Sequence, residues 1–107
     1  MSFYRVTTPT HTYNLPMDTS TLSVIQVTYK QGAVSIVKQY QGSLPRGMSL
    51  DGKKVIITLT QQETKGFKAV PVKSQVRVLT NVGKALASQK FTINVEDVLN
   101  EEVLFNG

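Results

Sequence analysis

The chain has no cysteine and no tryptophan, a single histidine, and only seven acidic residues among 107. Each shortage excludes something. Without cysteine there is no disulfide framework, no thiolate nucleophile and no thiolate-bound zinc. The fold is therefore indifferent to the redox state of its compartment. A lone imidazole works as a general base only beside an orienting carboxylate and a nucleophile. His11 has neither near it in sequence, so a partly buried strand histidine is the plain expectation. The chain contains neither G-x-x-x-x-G-K-[ST] nor G-x-G-x-x-G, the loops that cradle phosphates. No apolar run approaches the roughly 20 residues that cross a bilayer. The opening "MSFYRVTTPTHTYNLP" lacks the basic start and apolar stretch of a secretory signal. These absences lead us to expect a protein that is not an enzyme, holds no cofactor or metal, and contacts no membrane.

Charge is unevenly spread. The net charge is +5, yet all twelve Lys and Arg precede residue 96, where they meet only Asp18, Asp51 and Glu63. The last twelve residues hold Glu96, Asp97, Glu101 and Glu102 and no base. A basic body with an acidic tail suits nucleic acid, or tail-to-body docking between copies. The twelve cations are scattered along the sequence, which favours an ordinary solvated surface. The four tail acids do not follow the ligand spacing of an EF-hand loop, so no metal site is expected. Asp18 and Asp51 lie in turn-like segments, where Asp satisfies local backbone N–H groups.

What is present is alternation with a period of two. It predicts strands over Thr10–Leu15, Leu22–Lys30, Ala33–Tyr40, Met48–Leu50 and Lys54–Thr60. Turns are expected at Gln31-Gly32 and Asp51-Gly52. "LTQQETKGF" pairs Thr60 with Glu63 three residues on, a capping-box spacing, and Gly66 can close the far end. One short helical turn over Gln61–Lys65 follows. Two further strands flank Asn81-Val82-Gly83; Val72, Val76 and Val78 share one buried face, and Ala87, Phe91, Ile93 and Val95 another. About seven short strands and one helical turn describe an all-β, immunoglobulin-like antiparallel β-sandwich, with a small β-barrel as the alternative. The sandwich is expected over residues 1–95. Residues 96–107 form an acidic C-terminal segment: a last strand, a short helix, or a tail that docks on a partner.

Four stretches carry a family likeness: "TTPTHTYNLPMDTS" (Thr7–Ser20), "LTQQETKGF" (Leu59–Phe67), "SQVRVLTNVGKALAS" (Ser74–Ser88) and "VEDVLNEEVL" (Val95–Leu104). In this order, over nearly the whole chain, they resemble small structural proteins of tailed phages and prophages of Gram-positive gut bacteria. The resemblance implies a virion-associated module of the tail or baseplate, found in the virion or the host cytoplasm. It brings no catalytic residues. Relatives often have Arg-Gly before Thr-Thr-Pro-Thr where this chain has Arg5-Val6, which questions a tight N-terminal turn.

The function expected is adhesion by surface, with other virion proteins or self-association as partner. Apolar residues at both chain ends are hard to bury in a small domain. Phe3, Tyr4 and Arg5, with Val103, Leu104 and Phe105, are therefore the candidate partner contacts. Two alternatives stand beside this reading. One is a nucleic-acid-binding accessory protein, with Lys53 and Lys54, or Lys73 and Arg77, touching phosphates. The other is a glycan-binding module, which the absence of tryptophan disfavours.

Overall fold

The computed structural model describes residues 2–104. Its elements, in chain order, are β1 (Ser2–Tyr4), β2 (Thr10–Asn14), β3 (Leu22–Gln31), β4 (Val34–Tyr40), β5 (Met48–Asp51), β6 (Lys54–Thr58), α1 (Gln61–Lys65), β7 (Val72–Thr80), β8 (Ala85–Ala87) and β9 (Phe91–Glu96). The strands stack as two open sheets. The larger runs β1-β9-β7-β3-β4, with β8 also beside β7, and the smaller runs β2-β6-β5. Neither closes on itself, which removes the barrel alternative.

In immunoglobulin lettering β2, β6 and β5 stand where B, E and D stand. The positions C, C′, F and G fall to β3, β4, β7 and the β8/β9 pair. The fold is an immunoglobulin-like β-sandwich. One pairing departs from a purely antiparallel arrangement: β1, which alternation did not predict as a strand, runs parallel to β9, with Phe3 opposite Val95.

Period-two burial explains the two layers. From the larger sheet Ile25, Val27, Tyr29, Val72, Val76, Ile93 and Val95 point inward; from the smaller, Tyr13, Met48, Val55 and Ile57, with Leu59 just beyond β6. Intervening polar residues such as Lys73 and Arg77 face out. Ala87 breaks the expected row, being exposed. The reason is a change of register. Arg77 pairs with Ala87 but Ser74 with Phe91, so one extra residue enters the last strand and its faces exchange. Ser88 patches the interruption: its N–H donates to the Val76 carbonyl (2.8 Å) and its Oγ accepts from the Val76 N–H (3.0 Å).

The turns each sit one residue later than the sequence suggests, at Gly32-Ala33 and Gly52-Lys53, because Gln31 pairs with Val34 and Asp51 with Lys54. The helix forms as expected. Thr60 Oγ1 accepts from the Glu63 N–H (3.1 Å) and Glu63 Oε1 from the Thr60 N–H (2.9 Å), a complete capping box. Gly66 is the C-cap but has φ −69°, so its left-handed freedom is not used. Asp18 accepts from the Ser20 N–H (2.9 Å), capping a 3-10 turn over Thr19–Thr21.

Candidate functional site

Both terminal segments singled out from sequence converge on α1. Pairing of β1 with β9 brings Arg5 directly beside the start of the acidic segment, and the Arg5 N–H donates to the Glu96 carbonyl (2.8 Å). The guanidinium is then used on every side. Nε donates to the Phe67 carbonyl (2.5 Å) and Nη2 to the Lys65 carbonyl (2.9 Å), two acceptors at the end of α1. Nη1 is left for carboxylates and meets Asp97 Oδ1 at 2.7 Å and Glu101 Oε1. Those two carboxylates raise the Arg5 pKa, and Arg5 in turn holds the Asp97 carboxyl below its ordinary value.

Gln61 supplies the second anchor. Its side chain is buried at 4 % exposure, and its amide holds both backbone groups of one residue: Nε2 donates to the Leu104 carbonyl (2.9 Å), Oε1 accepts from the Leu104 N–H (2.8 Å). Residues 97–104 form neither strand nor helix and lie along the body between these anchors. Their apolar side chains divide, with Val98 half-buried and the leucines turned to solvent. Leu99 is fully exposed, Leu104 is 69 % exposed, and Val103 is half-buried.

The six candidate contacts therefore separate. Phe3 is a correction: it is core, packed against His11 (ring centroids 5.8 Å) and Phe67 (6.2 Å). The alternation of a three-residue strand is too short to be read without its partner. Arg5 spends its bonds within the chain. Tyr4 and Leu104 are open to solvent, and Phe105 lies outside the described residues. Gln61 was legible only as a helix residue; nothing local marks it as a peptide clamp.

The N-terminal turn is present after all. Val6 has φ +59°, a left-handed conformation that β-branched residues rarely adopt. Such strain persists when neighbours over-determine it. Here Thr7 and Thr64 exchange two bonds, Thr7 N–H to Thr64 Oγ1 (3.0 Å) and Thr64 Oγ1 to the Thr7 carbonyl (2.8 Å). Val6 itself is buried.

His11 is buried between Phe3 and Tyr29, with Nδ1 2.8 Å from the Tyr29 hydroxyl and no partner at Nε2 among the described residues. Burial pushes its pKa down. The neighbouring phenol Tyr13 bonds Ser74 Oγ (2.6 Å), and burial raises both tyrosine pKa values. This is a core polar pair of bonds, not an open site. Among the described residues no three of His, Asp and Glu gather as a metal site, and no helix is long and apolar enough to cross a membrane.

Cations supply a further correction. Lys30, Lys73, Arg77 and Lys90, far apart in sequence, line one open depression of 520 Å³ on the outer face of the larger sheet. Strand pairing gathers these four of the twelve cations, which are scattered along the sequence. Lys53 and Lys54 lie elsewhere, in the β5–β6 turn and at the start of β6.

No protein-family model and no curated protein matches the chain.

Proposed function

We propose that this protein is a virion-associated structural or adaptor module of a tailed phage or prophage, working in the tail or baseplate through protein–protein contacts. The observation that carries the reading is the acidic arm. Residues 97–104 are anchored by Arg5 and Gln61 while Leu99 and Leu104 present apolar side chains to solvent. Exposed apolar groups on a polar-rimmed segment are characteristic of contact surfaces. The likeness of the four sequence stretches to phage structural proteins supplies the virion context, and a small sandwich is a suitable scaffold for presenting an arm.

Light scattering of the full chain against a chain ended after Glu96, with capture from purified particles, tests this. Association or capture of a virion component by the full chain, lost on truncation, is expected. Monomers at high concentration in both cases, with nothing captured, would refute the reading.

A further inference from the structure

The outer face of the larger sheet holds charge that its own fold does not use. Lys30 on β3 stands directly opposite Lys73 on β7, a like-charged cross-strand pair. Such pairs destabilise a sheet unless something neutralises them. Lys73 Nζ reaches Thr92 Oγ1 (2.6 Å), a neutral partner that orients the ammonium without neutralising it. Arg77 projects from the same face of β7 four residues on, about 13 Å along the strand, and Lys90 lies beside the same depression. Between them are Gln26 and Gln75, both neutral, and among the described residues no acidic side chain lines the depression. The described salt bridges belong to Arg5 and Lys38 instead.

We infer that this face is a binding surface for the phosphate backbone of duplex nucleic acid. Charge complementarity selects a polyanion, and the chemistry of the face selects among polyanions. Proteins that hold single strands add aromatic platforms on which unstacked bases rest; among the described residues no aromatic side chain lines this depression. A duplex keeps its bases stacked and offers only phosphates outward, one per about 3.4 Å of rise on each strand. A patch about 13 Å long spans roughly four of them. Lysine, arginine and glutamine donors suit phosphate oxygens, which position a protein without reading sequence. Binding is sequence-independent and strongly dependent on salt.

The experiment uses the full chain, an arbitrary fluorescent 20-bp DNA duplex, and anisotropy from 50 to 200 mM salt. Neutralising about four phosphates predicts a log–log salt slope near about −3.6, or about a 150-fold loss of affinity over that range. The variant Lys30→Gln, Lys73→Gln, Arg77→Gln, Lys90→Gln should abolish binding at 50 mM. A control with equal charge loss elsewhere, Lys53→Gln, Lys54→Gln, Lys65→Gln, Lys84→Gln, should retain most of the affinity. Circular dichroism confirms that both variants are folded. No binding by the parent at 50 mM salt overturns the inference, as does equal loss in the two variants. A peptide of residues 96–104 is the third arm. If it displaces the duplex at equal or lower concentration, the face is a dock for a second copy's acidic segment and the inference fails.

Discussion

Lys38 on β4 points inward, between the sheets, and its Nζ lies 2.7 Å from Glu63 Oε2. The same carboxylate closes the capping box of α1 through Oε1. One side chain thus ties an edge strand to the helix that crosses between the layers. Among the described residues β4 has no neighbour beyond it in the sheet, and an inward charge on an edge strand discourages pairing with another molecule.

Replacing Lys38 with valine should leave the fold intact and raise self-association. Valine favours the strand and removes the charge that guards the edge. Light scattering of variant and parent against concentration checks this; an unchanged association state would show that Lys38 has no guarding role.

Burial alone would raise the Glu63 carboxyl, but Lys38 and the Thr60 N–H hold it below its ordinary value. A depressed carboxyl contributes stability that is present above its unfolded pKa, about 4.3, and is lost as pH falls through the folded value. Glu63→Gln should destabilise by about 1–2 kcal/mol at pH 7, between the exposed and buried limits for breaking an ion pair. Urea midpoints of variant and parent should converge as pH falls from about 4.3 through the folded value.

His11 is expected to set a second pH response. Its folded pKa lies below the unfolded value near about 6.5, so the unfolded chain binds the proton first. Stability is full above that value and declines as pH falls toward the folded pKa, by at most about 1.4 kcal/mol per pH unit. His11→Gln should flatten the fall in urea midpoint between pH 7 and pH 5. An equal fall in both proteins would exclude His11 as the source.

Gly47 has φ +83°, and a Cβ there would meet the Thr58 carbonyl oxygen at 2.4 Å. The Thr58 N–H donates to the Gly47 carbonyl (2.8 Å), so the two backbones cannot part without losing that bond. Gly47→Ala should cost more than about 2 kcal/mol, from strain and clash together. Gly32→Asn is the contrast: φ is +57° but a Cβ meets nothing within 4 Å, and thermal melts should differ little from the parent.

At Gln61, removal of the amide by Gln61→Leu should free the acidic arm while sparing the sandwich. Amide hydrogen exchange at Leu104 should rise sharply, with protection in β3 and β7 unchanged. Loss of protection throughout would mean that the clamp also supports the core.

The alternation of Val55-Ile-Ile57 and of Val72 to Val78 determined which faces are buried, because a strand must place successive side chains on opposite sides. Thr60 and Glu63 determined the helix start for an equally local reason, since both bonds of the capping box close within four residues. Only the tertiary structure decided the rest. Whether Phe3 is core or contact depends on β9, more than ninety residues away, and the face of Ala87 depends on a one-residue bulge set by pairing with β7. Gathering Lys30 with Lys73, and Arg5 with Asp97, needs strand partners that no local window contains. Period and caps are written in neighbouring residues; register and charge clustering come from pairing across the chain, and those pairings position the surfaces proposed for binding.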